Sequence, residues 1–176
     1  MQSSAALQRT LRGMISSNHM SKKIFATIFL VLALLGFLDA SYLTLQHYRG
    51  VVPPCAIVSG CEQVTTSQYS LIFGIPVALL GALYYLTILI LSIAHLDTKR
   101  DTLLKYAAYF TACGLLASLW FIFLQAFVIK AWCIYCLGSA TTSILLFIAG
   151  IIYLHRQSKT ATTSTNTTPG SGGAAV

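Results

Sequence analysis

Four long apolar stretches divide this chain, and within each the apolar residues run on continuously. They extend from about Ile24 to Leu45, Ile75 to Leu96, Leu103 to Ile129 and Ile134 to Leu154. A helix needs about 20 residues to cross the hydrocarbon core of a bilayer, so each stretch is long enough to do so. The first carries a single charge, Asp39, the third has Lys105 near its start, and the fourth has none. The second opens with Pro76, which a helix tolerates in its first turn. Continuous runs argue against sheet, which would alternate. The expected fold is all-α: an integral membrane four-helix bundle with a long outer loop between helices 1 and 2. Residues 1–23 form an N-terminal cytoplasmic segment in this reading, and residues 24–155 the transmembrane domain. Residues 156–176, almost all Thr, Ser, Gly and Ala, form a disordered cytoplasmic tail. The first apolar run is too long for the core of a signal peptide, so it reads as an uncleaved anchor.

Composition strengthens the membrane reading. Of the 176 residues 56% are hydrophobic and only 9% charged, against about 25% charged in a soluble domain. The net charge of +7 does not indicate nucleic acid, because no basic run interleaves with aromatics and no nucleic-acid motif is present. The positions of the basic residues set an orientation instead. Arg9, Arg12, Lys22, Lys23, Lys99, Arg100, Lys105, Arg156 and Lys159 fall on one side, and only Arg49 and Lys130 on the other. This places both termini in the cytoplasm, in an inner-membrane protein whose helix 1–2 and helix 3–4 connections face outward. The sequon at Asn166 would then lie on the cytoplasmic side, where it has no use.

Those outward connections hold four of the five cysteines, Cys55, Cys61, Cys133 and Cys136. Cys113 sits mid-span and reads as a small buried hydrophobe. The outer side is where disulfides persist. The short link around Lys130-Ala131-Trp132 pins Cys133 and Cys136 at the membrane boundary. Spaced i and i+3, they share a helix face. Cys133 lies at a helix N-terminus, which favours thiolate, and Cys136 about 4.5 Å deeper. One thiol can face water and the other the membrane. Cys55 follows Pro53-Pro54 in an irregular loop with Gly60, which leaves it free to meet a soluble partner and then exchange with the embedded pair. Structural zinc is disfavoured, since His47 is the only histidine in either outer segment, and no metal is expected. Inert structural disulfides, in a small transporter subunit or assembly factor, are the alternative from another class. Such a protein would show polar residues lining several helices at mid-depth.

Other residues raise weaker possibilities. Asp39 is the one acid inside a span, and a membrane carboxyl is a functional candidate by default; proton uptake, contact with a bound ligand and a hydrogen-bonded structural role are all open. Tyr42, Tyr84 and Tyr85 could reach a head group, although interface tyrosines are common. Trp120 reads as lipid-facing or core, Trp132 as part of the interfacial belt, and His95 and His155 as solvated at cytoplasmic helix ends.

Taken in order, Ser41-Tyr42-Leu43, Cys55-x5-Cys61, Ser67-x-Tyr69, Phe73-Gly74-Ile75-Pro76 with Gly81, and Cys133-Ile134-Tyr135-Cys136 resemble the bacterial homologues of vitamin K epoxide reductase. In the other four-helix quinone-linked family, the DsbB type, the CxxC comes in the first outer loop, and that order does not fit. The resemblance covers roughly residues 24–155. It implies a bundle around a quinone of the ubiquinone or menaquinone type, capped by the loop. It implies that Cys136 lies next to the quinone with Cys133 as resolving partner, that Cys61 exchanges with Cys133, and that Cys55 meets the soluble partner. Ser67, Tyr69, Ser70 and Phe73 align with the segment near the quinone head group. Many bacterial members carry a fused thioredoxin-like domain. The expectation here is a separate soluble DsbA-like thioredoxin-fold partner. The animal enzymes have a Tyr four residues after the second CxxC cysteine, where this chain has Ala140, which weakens the reading as a reductase of vitamin K epoxide itself. The function implied is a membrane thiol–disulfide oxidoreductase that re-oxidises its partner and passes two electrons to quinone.

Overall fold

A computed structural model describes the backbone of residues 2–55 and 60–165, with side chains over 23–55 and 60–158. In chain order the elements are α1 (Gln2–Arg49), α2 (Cys61–Thr65), a 3₁₀ turn (Gln68–Ser70), β1 (Leu71–Ile72), β2 (Ile75–Pro76), α3 (Val77–Thr98), α4 (Asp101–Phe123), a π-helical turn (Leu124–Ile129) and α5 (Ile134–Thr165). Four helices are long and apolar enough to cross a membrane, over Lys23–Arg49, Val77–Thr98, Asp101–Ile129 and Ile134–Ser158. The all-α four-helix arrangement read from the sequence is the one found.

Small residues let these helices approach. On α1 the buried positions include Ala26, Phe29, Ala33, Gly36, Ala40 and Leu43. They recur at alternating spacings of three and four, the seam of a left-handed crossing. Helices in lipid gain little from apolar burial as such, so close packing of small side chains holds the bundle. Gly36 lies directly against the Tyr85 ring, where a methyl group would collide. Gly150 on α5 packs closely over Thr111 and the Ala108 carbonyl of α4, which a methyl group would meet at 3.1 and 3.3 Å. α1 packs on α3 and α5, and α4 packs on α5 and α3. The outward faces carry exposed large apolar side chains, including Leu38, Leu83, Leu116, Trp120 and Ile148, which suits a lipid environment.

Three buried polar residues of the spans are satisfied within their own helices. Thr44, Ser92 and Thr111 are buried, and each hydroxyl donates to a carbonyl on its own helix, at 2.7, 2.7 and 2.6 Å. The pattern expected of a transport protein is therefore not met by these three.

Several sequence expectations change. Pro76 is not in the first turn of α3 but is its N-cap, in extended conformation (φ −58°, ψ 130°). It ends a short β-hairpin that continuous apolar runs did not announce. Leu71 pairs with Pro76 and Ile72 with Ile75, antiparallel. The two turn residues, Phe73 (φ 51°) and Gly74 (φ 79°), both have positive φ, as the favoured two-residue hairpin turn requires. His95 is not solvated: it is buried, and its Nδ1–H donates to the Arg100 carbonyl at 2.9 Å. This braces the turn in which Lys99 (φ 54°) caps α3. α1 begins at Gln2 and α5 continues to Thr165, so the helices run well past the apolar stretches at both termini. Extending a packed helix avoids the cost of nucleating a new one. The rest of the expected tail, with the sequon at Asn166, lies outside the described residues.

Candidate functional site

The connection between α4 and α5 is built to present Cys133. The last turn of the third span widens to π-helix and stops at Lys130 in the left-handed region (φ 56°). In that turn Gln125 is buried. Its carbonyl accepts the Ala131 N–H at 3.2 Å, and its Oε1 accepts the Cys133 N–H at 3.0 Å. This one residue, through its backbone carbonyl and its side-chain amide, thus fixes both Ala131 and Cys133 in the bridge into α5. The Cys133 carbonyl accepts the first bond of α5, from Leu137 N–H at 3.0 Å. Sequence reasoning passed over Gln125. The available signal was an amide in an otherwise apolar span end, where polar groups are expensive and have partners.

The loop brings the second pair to the same place. Cys55 and Cys61 are joined as a disulfide with Cα atoms 6.1 Å apart. Cys61 and Cys133 are almost fully buried, at 1% and 0% exposure, in one apolar cluster with Val64 and Ala131. The backbone explains the approach. A methyl group placed on Gly60 would stand 2.7 Å from both the nitrogen and the oxygen of Trp132, so no side chain fits there. The residues preceding the two cysteines are in main-chain contact. Tyr135 ties the start of the loop down as well, its hydroxyl donating to the Pro54 carbonyl at 3.1 Å. Cys55 is half-buried at the edge of this cluster.

Cys133 and Cys136 are free thiols. The Cys136 thiol donates to the Cys133 sulfur, and the Cys136 and Tyr135 backbone N–H groups also point to it. Together they outweigh burial and the nearby Asp39 charge and hold the Cys133 thiol down to about 7. Its thiolate therefore dominates above that pH. Reaction of reduced Cys133 with a small neutral alkylating agent should rise through pH 7, read by mass spectrometry of its peptide. Cys136→Ala removes the donor. It should move the midpoint up toward the free-thiol value of about 8.5 and slow the pH 7 reaction on the order of tenfold.

Below the cluster lies a largely apolar cavity of about 450 Å³, a volume in the usual range for small-molecule sites. Cys136 is on its wall, with Ser67, Tyr69 and Ser70 of the loop, Tyr84 and Tyr85 of α3 and Gln125. Three of the four residues aligned with a quinone head group are thus brought to the cavity. Phe73 is not. It sits at the hairpin tip, fully exposed at 101%, because the turn projects it away from the bundle. Cys113 also departs from expectation: it is exposed and lines the cavity. Asp39 and Tyr42 do not line it. Asp39 interacts electrostatically with Cys133 and Cys136, and its Oδ2 is buried with no hydrogen-bond partner. Tyr42 stacks on Tyr135 at 5.4 Å between ring centroids. Among the described residues no group of three or more His, Cys, Asp or Glu side chains is placed to hold a metal ion.

No curated protein matches the chain. The model of the Vitamin K epoxide reductase family matches residues 27–151, from the first span into the fourth and across both cysteine pairs. The chain therefore belongs to the vitamin K epoxide reductase family, whose members are membrane oxidoreductases linked in general to quinones.

Proposed function

We propose that this protein re-oxidises a soluble DsbA-like thioredoxin-fold partner and passes the two electrons to a membrane quinone through its two cysteine pairs. The observation that carries the reading is the position of the CxxC pair between two neighbours. Cys133 is buried beside Cys61 of the loop disulfide, and Cys136 lines the apolar cavity.

The relay balances step by step. The partner's dithiol attacks the Cys55–Cys61 disulfide at Cys55, the less buried sulfur. The partner leaves as a disulfide, and Cys55 and Cys61 become thiols. Cys61 thiolate then attacks Cys133 of an oxidised Cys133–Cys136 pair, forming a Cys61–Cys133 mixed disulfide and releasing Cys136 as thiol. Cys55 resolves it, restoring Cys55–Cys61 and freeing Cys133. The lowered Cys133 pKa helps here, because a thiol of lower pKa leaves faster. The reduced pair then closes to a disulfide as two electrons and two protons pass to the acceptor in the cavity. A bound quinone supplies a two-electron, two-proton acceptor. The cavity suits one: its walls are largely apolar, and the loop hydroxyls and a thiol lie on its surface. Ala140 also lines it and offers no hydroxyl, which favours quinone over an epoxide as acceptor.

The charge asymmetry along the chain supports an inner-membrane orientation with both termini in the cytoplasm and the cysteine pairs outside. Purified protein mixed with a reduced DsbA-type partner and a short-chain ubiquinone should consume partner thiols in step with quinol formation, and only with quinone present. Sealed vesicles add the orientation: partner outside right-side-out vesicles should be oxidised, and partner outside inverted vesicles should not. Thiols that persist in the purified mixture would remove the functional reading. Oxidation in inverted vesicles alone would reverse the topology.

A further inference from the structure

We infer that Tyr84 and Ser143 form a second hydrogen-bonding station deep in the cavity, which receives a carbonyl oxygen of the bound acceptor. This rests on the reading of the cavity as a quinone site and adds the residues that hold the ring at its inner end.

Among the described residues three buried side-chain oxygens lack a hydrogen-bond partner, and two of them are Tyr84 OH and Ser143 Oγ. Both residues line the cavity, and Ser143 is 2% exposed. Four other cavity hydroxyls differ. Those of Thr65, Ser67 and Ser70 donate to the carbonyls of Cys61, Val64 and Ser67 at 2.7, 2.9 and 2.7 Å. Tyr85 OH donates to the Ser139 carbonyl at 2.6 Å. Their hydrogens are already used.

Ser143 does not make the usual alternative bond. A serine inside a helix ordinarily bonds back to a carbonyl three or four residues earlier, but Ser143 bonds to neither the Ala140 nor the Ser139 carbonyl. The Ser139 carbonyl already accepts Tyr85 OH and, at 2.8 Å, the Thr142 hydroxyl. Tyr84 and Ser143 come together over Gly114 of α4, where a methyl group would collide with both hydroxyls. The two hydroxyls lie close enough to interact with each other; even where one donates to the other, one hydrogen still has no acceptor, because each hydroxyl brings one donor. A buried donor left unmade is costly, and what is missing is an acceptor from the cavity.

The station is on the correct face. Ser143 follows Cys136 by seven residues, two helical turns along α5 and about 10 Å deeper. The class of ligand follows from the chemistry. Two converging donors in an apolar wall select a carbonyl oxygen over a hydrocarbon, so the site reads a flat apolar ring that carries a carbonyl.

The test uses the full-length protein in detergent with menadione as probe and 2-methylnaphthalene, the same fused ring system with no carbonyl, as control. Tyr84→Phe and Ser143→Ala preserve the packing and remove one donor each. Each should weaken menadione binding about fivefold, and the pair more, by thermal-shift titration. The affinity for 2-methylnaphthalene should not change. In the infrared spectrum one carbonyl stretch of bound menadione should be shifted to lower frequency, and the double variant should lose that shift, a readout that general loosening of the bundle would not reproduce. Equal menadione affinity and an unchanged carbonyl stretch in the double variant would overturn the inference and leave the quinone reading intact. If the wild-type protein binds the hydrocarbon as tightly as menadione, the station makes no use of a carbonyl and the inference falls. Failure of any quinone to oxidise Cys133 and Cys136 would instead count against the proposed function.

Discussion

Cys136→Ala should abolish quinone reduction from every electron donor, whereas Cys55→Ala should abolish only the part driven by the protein partner. Cys136 is the one thiol of the two outer pairs on the cavity wall. Without it the CxxC pair cannot close to a disulfide at the acceptor, and loss of a covalent step of this kind costs on the order of a thousandfold or more. Cys113 also lines the cavity but sits on another helix, with no partner thiol in its own sequence neighbourhood to form a disulfide. In Cys55→Ala the partner loses its point of attack. A small dithiol can still reduce Cys133–Cys136 directly, although slowly, because Cys133 is fully buried under the loop and the loop must lift first. Quinone absorbance followed with dithiothreitol and with reduced partner separates the two effects. Turnover surviving in Cys136→Ala, or equal loss of both activities in both variants, would show that the relay order is wrong.

The elements that carry this argument were legible to different degrees. The spans were plain because a lipid-facing helix leaves a continuous apolar run, and the structure places its four candidate membrane helices at those runs. The cysteine pairs were plain because their spacing and order are unusual in so short a chain. What the sequence concealed depends on contacts between distant segments. The Gly60–Trp132 main-chain contact is invisible in either segment alone. Gln125 looks like an ordinary amide until its two bonds into the α4–α5 bridge are seen. Cys113 was read as buried because mid-span cysteines usually are, whereas in fact the cavity opens beside it.

Phe73 shows how a correct motif can mislead about a side chain. Phe73-Gly74-Ile75-Pro76 does mark a structural feature, a turn that delivers the chain to α3. Its positive φ angles fold the pair into a tight hairpin, and the hairpin carries Ser67, Tyr69 and Ser70 to the cavity while turning Phe73 outward. Hydroxyls raise a similar difficulty. From sequence Tyr84 and Tyr85 are equivalent neighbours. The fold distinguishes them: Tyr85 is satisfied by Ser139 and Thr142, whereas the Tyr84 hydroxyl is buried on the cavity wall without such a partner.

Cys61 and Cys133 should form a disulfide with each other when Cys55 and Cys136 are both replaced by alanine. A disulfide requires Cα atoms within about 7 Å and sulfurs able to reach about 2 Å. The structure supplies the conditions for that approach. Both side chains are buried in one cluster, and Gly60 and Trp132, the residues just before them, already touch through their backbones. The double variant removes the competing native partners, so mild oxidation leaves these two as the remaining thiols of the outer pairs. Mass spectrometry of a protease digest should show the Cys61 peptide joined to the Cys133 peptide in most of the protein. A third change gives the argument a graded control. Gly60→Val puts a side chain where a methyl group already stands 2.7 Å from the Trp132 backbone, so it should separate the segments and sharply lower the yield of the cross-link. The valine variant also distinguishes a preformed encounter from a chance collision, since a freely swinging loop would cross-link equally well with either residue at position 60. If the link fails to form under oxidants that fully close both native pairs in the parent protein, Cys61 does not deliver electrons to Cys133, and the loop disulfide must hand them on by another route.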